Sequence, residues 1–252
     1  MSDEASSRQR PAFLVLRNQP TSRAAEAYRG MRTSLQMLPR EKQGAVVVTS
    51  CGAGDGKTFC AVNLAVALAA AGKRVLVVDG DLRRPSLHKV FRLGRTQGLS
   101  DVLSEQAARD EVILPSDVPG LDVLPSGPIP PNPSELLGAP ALDPALEAWR
   151  VAYDHLIFDA PPVLGLSDAV VLARRIGYAI LVVRAGQTTD RALRHASELL
   201  QGSGIEVLGV VLNGTRARDE EAYGFAMNYW PEGYVDSPTA GRTPADRRPA
   251  DR

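Results

Sequence analysis

The sequence predicts a single α/β domain with a mostly parallel central sheet flanked by helices. Six short runs rich in Val, Ile and Leu recur along the chain, and helix-forming segments separate them. Such runs are typical of parallel strands buried on both faces and joined by right-handed β-α-β connections. The 252 residues and the 44% apolar content suffice for one such domain. The predicted strands are residues 45–49, 75–79, 121–125, 156–159, 179–184 and 207–213.

The first element is an amphipathic helix over residues 23–38, which precedes the sheet. Gln19-Pro20-Thr21-Ser22 forms its start signal. Glu26, Arg29 and Arg32 are spaced three residues apart, so they share one helical face. A solvated charged face is the ordinary interpretation of this spacing, and a contact with another subunit is the alternative. We expect residues 1–19 to form a flexible N-terminus.

The first strand and the following helix enclose the sequence VVTSCGAGDGKTF at residues 47–59. It matches the phosphate-binding loop (P-loop) motif G-x-x-x-x-G-K-S/T except that Cys51 replaces the first glycine. Glycines without a Cβ let backbone N–H groups approach phosphates, and the next helix adds its positive N-terminal end. A glycine-rich turn that only caps a strand is the alternative. The predicted phosphate-binding residues are Gly52, Ala53, Gly54, Asp55, Gly56, Lys57, Thr58 and Phe59.

Carboxylates end two of the later strands. Asp79 and Asp81 follow the second apolar run, and Asp159 closes the sequence HLIFD. Because the carboxyl ends of parallel strands converge on a ligand, these side chains are expected near the phosphate loop. A triphosphate site also needs oxygen ligands for magnesium, for which Thr58 is a further candidate. A lone aspartate after a strand is often only a helix cap, but here three such residues accompany the loop.

The remaining segments are predicted to be irregular. Residues 128–133, PIPPNP, are too rich in proline for a helix or a sheet interior and predict a stiff surface loop. The apolar runs stop near residue 216, and we expect a largely disordered tail over residues 216–252.

Composition excludes several classes of function. Lys plus Arg equals Asp plus Glu at 29 each, so no net charge draws the chain to nucleic acid. The N-terminus lacks the apolar core of a signal peptide, and no apolar run is long enough to span a bilayer. We therefore expect a cytoplasmic protein. The two cysteines, Cys51 and Cys60, form neither a metal-ligand set nor a disulfide framework.

The combined motifs resemble the bacterial tyrosine autokinases of capsule and exopolysaccharide synthesis, a branch of the P-loop ATPases. VLVVDGDLRRP carries the D-x-D-x-R motif of that family, called Walker A′, at Asp79, Asp81 and Arg83. DAPP at 159–162 matches its Walker B motif, and GPIPPNPSELL at 127–137 matches a further family segment. EAYRGMR fits the subunit-contact motif E-x-x-R-x-x-R. The resemblance covers residues 20–215, and this family's loop lacks the first glycine. Many relatives have proline at the position of Ala53.

The resemblance implies an autokinase that uses ATP and Mg²⁺. Asp79 would be the base and Arg83 part of the catalytic motif, and Lys57 would neutralise phosphate charge. Thr58, Asp81 and Asp159 would serve the metal, and the acceptors would be the tail tyrosines Tyr223, Tyr229 and Tyr234. Alternatively, the tail's Phe225, Met227 and Trp230 indicate a segment that packs.

The partners implied are a ring of identical subunits, an activating membrane chain-length regulator (co-polymerase) and a cognate phosphotyrosine phosphatase. The regulator would recruit the chain to the inner face of the plasma membrane.

Asn213, at the end of the last strand, is a candidate adenine contact with Arg216 nearby, although asparagine is also an ordinary turn former. Other P-loop branches are the alternatives: a partition-type ATPase or a nucleotide-binding regulator without kinase activity. The partition branch carries a signature lysine where this chain has Gly52, which argues against it.

Overall fold

The computed structural model describes residues 14–94 and 97–215, and its centre is a seven-stranded sheet. The strand order is β3-β4-β2-β5-β1-β6-β7, and all neighbouring strands are parallel except β3 and β4. The strands are β1 Ala45–Ser50, β2 Val75–Asp79, β3 Leu114–Pro115, β4 Leu121–Leu124, β5 His155–Asp159, β6 Tyr178–Arg184 and β7 Glu206–Asn213. All six predicted strands are confirmed. The sequence did not predict β3, which is too short to show a pattern.

Ten helices lie in the described part of the chain. They are α1 Val15–Asn18, α2 Arg23–Gln36, α3 Arg40–Gln43, α4 Lys57–Ala69, α5 Leu87–Val90, α6 Leu99–Leu103, α7 Pro133–Leu137, α8 Leu142–Ala152, α9 Asp168–Ile176 and α10 Asp190–Gly202. No helix among residues 14–94 and 97–215 is long and apolar enough to cross a membrane.

The sheet lies between two helical layers because alternate strand residues point to opposite faces. On one face Val46, Val48 and Ile157 pack with α1, α2 and α4. On the other face Val47, Leu156 and Phe158 pack with helices that include α8, α9 and α10. The inner strands β1, β2 and β5 are wholly buried, as their apolar sequences predict. The sheet therefore fixes the positions of the strand ends that carry the candidate site.

Strand β7 departs from the prediction of burial on both faces. It lies at the sheet edge, where Val210 is 49% exposed and Leu212 is 36% exposed. Apolar composition predicted the strand correctly, but position in the sheet decides burial. The order of the strands is not encoded locally.

The expectation of a flexible N-terminus is wrong for residues 14–19. Leu14 is fully buried, and α1 packs against α2 and α4. The Val15 N–H donates to the Asn63 side chain at 2.8 Å, which ties the segment to α4. Burial of Leu14 and this long-range hydrogen bond order the segment, and neither is visible in the local sequence.

Helix α2 forms close to where its sequence predicts it. The Ser22 hydroxyl accepts a hydrogen bond from the Ala25 N–H at 3.1 Å, so the predicted start signal is confirmed as a helix cap. Glu26 and Arg29 form an ion pair at 2.9 Å. The side chains of these two residues are 42% and 31% exposed, while Arg32 lies over α4 with Nη1 3.5 Å from the Ala67 carbonyl.

The proline-rich loop is shorter than predicted. Pro133 is buried and forms the first residue of α7, where a missing N–H costs nothing. Asn132 precedes it and donates from its side chain to Glu135 at 2.8 Å. The remaining residues of the predicted loop, 128–132, contain no helix or strand.

Candidate functional site

Three neighbouring strands deliver the candidate functional residues to one edge of the sheet. β5 lies between β1 and β2, and Asp159 is the register partner of both Val48 and Asp79. Asp159 thus ends a strand adjacent to the strand of the phosphate loop, as its sequence position predicts. The loop leads directly into α4, whose first residue is Lys57. The predicted carboxylates and the predicted lysine therefore meet.

At two of the three loop glycines, the backbone adopts a conformation that favours glycine. Gly54 and Gly56 have φ angles of 89° and 98°, which side chains with a Cβ rarely adopt. Gly52 does not have a positive φ, and a Cβ there would meet Asp55 at an ordinary 3.7 Å. Its N–H donates to the Asp55 carboxylate at 2.8 Å. Asp55 therefore acts as an internal support that holds the loop closed.

The loop is also held from the β6–β7 side. The Asn213 amide donates to the Asp55 carbonyl at 2.8 Å, and Arg184 donates to the Gly54 carbonyl at 2.9 Å. The Thr188 hydroxyl lies 3.2 Å from the second Asp55 carboxylate oxygen. The structure thus places Asn213 beside the loop. Arg184 and Thr188 are supports that the sequence analysis missed, although Arg184 is the last residue of β6 and Thr188 lies four residues beyond it.

Lys57 lies among carboxylates. Its ammonium nitrogen is 2.9 Å from Asp81 and 3.4 Å from Asp159, and these carboxylates favour its charged form. Burial opposes that charge most strongly, but Asp159 and Asp81 together outweigh it, so the pKa of Lys57 is raised. Lys57 therefore remains a fixed positive charge at the mouth of the loop.

Asp79 is fully buried, and only one of its two carboxylate oxygens accepts hydrogen bonds. Its Oδ2 accepts hydrogen bonds from the N–H groups of Ser86 and Leu87, each at 2.9 Å, while its buried Oδ1 has no protein partner in the described chain. Burial, followed by the charge of Asp159, raises the pKa of Asp79 to about 7. The two N–H donors and Lys57 oppose this rise. An unpartnered oxygen on such a carboxylate fits a group that receives a proton or a ligand.

Asp159 is equally buried but better partnered. It accepts a hydrogen bond from Thr58 at 2.5 Å, and the Thr58 hydroxyl lies 3.2 Å from the Ser86 hydroxyl. Burial raises the pKa of Asp159 even though Lys57 and Thr58 lower it. Ser86 is a site residue that the sequence analysis missed. Its position seven residues after Asp79 was the only available signal.

The Arg83 guanidinium group is held by residues of α7 and α9. It forms two hydrogen bonds to the buried Asp168 at the start of α9, at 2.6 and 3.1 Å. Ser134 of α7 also donates to Asp168. The geometry gives Arg83 a positioning role, because it fastens the turn after β2 to two helices.

Gly80, between the two motif aspartates, allows a close backbone approach. Its N–H donates to the Asp159 carbonyl at 2.8 Å. A Cβ would lie 3.1 Å from that carbonyl oxygen and 2.7 Å from the Leu172 side chain. We expect Gly80→Ala to lower the free energy of unfolding by about 1–3 kcal/mol in urea denaturation. Gly30→Ala is the control, because a Cβ at Gly30 meets nothing within 4 Å. A stability of Gly80→Ala equal to that control would contradict the steric argument.

The oxygen atoms present fit a magnesium ion that also binds phosphates. No group of three or more His, Cys, Asp or Glu residues in the described segments could hold a metal ion alone. Magnesium at triphosphate sites uses only one or two carboxylates and takes its other ligands from phosphates and water. The Thr58 hydroxyl and the carboxylates of Asp81 and Asp159, which surround Lys57, match that donor set.

Both cysteines are buried and free. Burial raises the pKa of each thiol to about 11, so both are protonated at neutral pH and chemically inert. Cys51 therefore occupies the first glycine position of the loop as a small buried side chain.

Four of the predicted residues lie outside the described segments: Arg216, Tyr223, Tyr229 and Tyr234.

Comparison with known proteins places this site in a family. A family model for an AAA domain matches residues 45–201. The chain is 37% identical to tyrosine-protein kinase YwqD of Bacillus subtilis (strain 168), a match that covers 84% of this chain and 90% of that protein. The chain belongs to the bacterial tyrosine-protein kinases. The resemblance inferred from the Walker A′ and Walker B motifs is therefore confirmed.

Other members of the bacterial tyrosine-protein kinases are longer or known in structure. The chain is 37% identical to the putative tyrosine-protein kinase EpsB of Ralstonia solanacearum, matching 93% of this chain but 31% of that protein. It spans 29% of the length of tyrosine-protein kinase etk of Escherichia coli (strain K12). The kinase domain structure of the Escherichia coli protein superposes with a TM-score of 0.80 at 34% identity and covers 86% of each chain. The predicted fold is therefore confirmed.

Cell-division ATPases share the fold at a greater distance. MinD of Pyrococcus horikoshii, solved with Mg-ADP, has a TM-score of 0.60 at 27% identity, covering 72% of this chain and 76% of that one. The kinase domain of the Escherichia coli protein has both a higher TM-score and a higher sequence identity to this chain. The fold and the AAA domain match establish a nucleotide-binding protein.

Proposed function

We propose that this chain is an ATP-dependent protein-tyrosine autokinase, which phosphorylates tyrosines of chains identical to itself. The observation that carries this proposal is the meeting of Lys57 and Asp79 at one sheet edge, beside a phosphate loop. Because the chain spans most of YwqD but under a third of etk, it corresponds to the kinase part of the longer relatives. The relatives' names and the site chemistry both support transfer to tyrosine.

Phosphoryl transfer depends mainly on positioning and on neutralisation of charge, because the transition state is loose. The acceptor oxygen attacks the γ-phosphorus, and the bond from that phosphorus to the bridging oxygen of ADP breaks. Lys57 and the loop N–H groups stabilise the negative charge that develops on the phosphoryl oxygens and the leaving ADP. The tyrosine proton passes to a carboxylate, for which Asp79 has a free oxygen and a pKa of about 7.

The cofactor assigned to the site is Mg²⁺, which Thr58, Asp81 and Asp159 would hold. When bound, it neutralises charge on the β- and γ-phosphates. Thr58 and Asp159 are already joined by a hydrogen bond, so their oxygens are positioned together.

The base of ATP is assigned to the β7 end of the loop. Asn213 lies there and supports the loop through Asp55. Arg216 follows three residues later in the sequence and is a candidate second contact. Arg83 keeps its place in the motif as a positioning residue, since it fixes the turn that carries Asp79 and Asp81.

The acceptors assigned are Tyr223, Tyr229 and Tyr234. Each phosphate adds about −1.5 to −2 charges, so a multiply phosphorylated tail would be driven from an acidic site and would weaken a ring of subunits. The half-exposed Glu26 and Arg29 on α2, with Arg32, are the proposed contact to a neighbouring subunit in that ring.

The proposed setting is polysaccharide synthesis and export. A membrane chain-length regulator would recruit the chain to the inner face of the plasma membrane and activate it, and a phosphotyrosine phosphatase would reset the tail. The names of several relatives support the kinase assignment, and those of EpsB and of the Klebsiella pneumoniae kinase "in cps region" support the setting.

Phosphopeptide mass spectrometry of the chain from its native host tests the function. We expect phosphotyrosine at one or more of the three tail positions and its loss when all three are changed to phenylalanine. A wild-type chain that binds Mg·ATP but carries no phosphotyrosine would contradict autokinase activity and favour a nucleotide-binding regulator.

A further inference from the structure

A cavity of about 330 Å³ opens beside the phosphate loop. Ala53 of the loop forms one side of the cavity. Asp81 and the two arginines that follow it form another side, and the segment 161–166 after β5 forms the third. The cavity therefore adjoins the motif that carries the proposed base, Asp79.

The position of the cavity distinguishes it from the site of the nucleotide base. Asn213 contacts the loop from β7, whereas the cavity is lined by residues that follow β2 and β5. In the sheet, β1 lies between these two groups of strands. The phosphate loop therefore separates the cavity from Asn213, and a second reactant can enter on the cavity side.

The wall after β5 is apolar. Pro161, Pro162, Leu164 and Leu166 all line the cavity. Proline rings and leucine side chains offer the flat and branched apolar surfaces against which aromatic rings pack. A phenol ring can thus lie on this wall while its hydroxyl points toward the acidic centre of the site.

The two arginines at the cavity differ in whether their guanidinium groups have partners. Arg83 is held by Asp168 at 2.6 Å. Arg84 is exposed, and its guanidinium has no ion pair or hydrogen bond within residues 14–94 and 97–215; only its backbone N–H bonds, to Asp81 at 3.0 Å. Among the described residues, Arg84 is therefore a cation without a charged partner at the edge of the cavity.

The chain's own candidate acceptors carry acidic neighbours. Asp219, Glu220 and Glu221 precede Tyr223, while Glu232 lies between Tyr229 and Tyr234. We propose that the cavity binds the ring of the acceptor tyrosine and that Arg84 binds a nearby carboxylate of the same segment, which makes acidic tyrosine segments the preferred substrates. This inference rests on the proposed kinase function. Arg84 then determines specificity without taking part in the chemical step.

A charge exchange tests the inference in the native host. The readout is the phosphorylated fraction of Tyr223, measured against synthetic peptide standards for each variant. We expect Arg84→Glu to lower that fraction about five- to tenfold, because one attraction becomes a repulsion. Replacement of Asp219, Glu220 and Glu221 by lysine is expected to lower it similarly, and the combined variant to restore most of it.

The control variant is Arg150→Glu, which should leave the fraction unchanged. Arg150 is exposed on α8 and lies near Ala45 and Asp154, at the amino-terminal ends of β1 and β5. Absence of phosphotyrosine from the wild type would contradict the kinase function itself. A phosphorylated wild type with an unaffected Arg84→Glu would overturn only the acceptor inference. A lower phosphorylated fraction of Tyr223 in Arg84→Glu that the combined variant does not restore would also overturn the acceptor inference. Arg84 would then act on something other than these carboxylates.

Discussion

Lys57→Met is expected to abolish tail phosphotyrosine. In the structure the Lys57 ammonium group lies 2.9 Å from Asp81 and 3.4 Å from Asp159, at the N-terminal end of α4. Methionine preserves the length of the side chain but removes the charge that would stabilise the transferring phosphoryl group. Loss of one such charged contact in a buried site typically costs a factor of about 10²–10³ in rate.

The variant also leaves three carboxylates without their neighbouring ammonium group. Burial and mutual repulsion then raise the pKa values of Asp79 and Asp159 further, because Lys57 lowers both in the wild type. Fewer ionised oxygens would remain for a metal ion at neutral pH. The expected loss therefore combines weaker phosphate binding with a poorer metal site.

Phosphopeptide mass spectrometry in the native host measures the effect. Lys73→Met is the matched control, since Lys73 is an exposed lysine just beyond the other end of α4. Tail phosphotyrosine should be unchanged in the control. Retention of more than a tenth of the wild-type phosphotyrosine in Lys57→Met would show that the lysine is not central to transfer.

The sequence predicted the inner part of the fold well because that part is encoded locally. Consecutive apolar residues in β1, β2 and β5 identify strands buried on both faces, and Ser22 identifies the start of α2. Leu14 and β7 were described less well. Their burial depends on contacts with distant elements and on the order of strands, which short segments do not specify.

The residues of the candidate site likewise fall into those that the sequence predicted and those that only the structure revealed. Lys57, Asp79, Asp81 and Asp159 were predicted because each belongs to a motif at a strand end. Ser86, Arg184 and Thr188 were missed because their roles come from hydrogen bonds to Thr58 and to the phosphate loop, which are distant in sequence. Arg83 was predicted as part of a catalytic motif, but the sequence could not show that Asp168 would hold its guanidinium group. Motifs thus identified the candidate residues, while the side chains that support them needed the structure.

Asp79→Asn is expected to separate activity from stability. The asparagine oxygen can still accept the N–H groups of Ser86 and Leu87, so the turn should be preserved. The amide cannot accept the tyrosine proton, and loss of a general base typically lowers the rate by about 10²–10⁴. We expect tail phosphotyrosine to fall by that factor in the native host while the purified variant remains folded.

The same substitution should stabilise the protein at alkaline pH. The folded-state pKa of Asp79 is about 7, above the ordinary value of about 3.9. The folded state therefore holds a proton that the unfolded state releases. The stability associated with this proton is complete below pH 4 and is lost as the pH rises to about 7. Asparagine carries no charge and avoids this loss. The free energy of unfolding of Asp79→Asn should therefore exceed that of the wild type by roughly 2–4 kcal/mol at pH 8.

Urea denaturation in EDTA without nucleotide, from pH 4 to pH 8, measures this effect. The advantage of Asp79→Asn should be smallest near pH 4, grow toward pH 7 and remain constant above it. Asp110→Asn is the control, because the Asp110 side chain is 75% exposed and should show no such trend. Equal destabilisation by Asp79→Asn at all pH values would contradict this prediction. Asp79 would then be ionised throughout, with its charge stabilised by the N–H donors and Lys57. A variant that is more stable and inactive would show that Asp79 is retained for chemistry at a cost in folding.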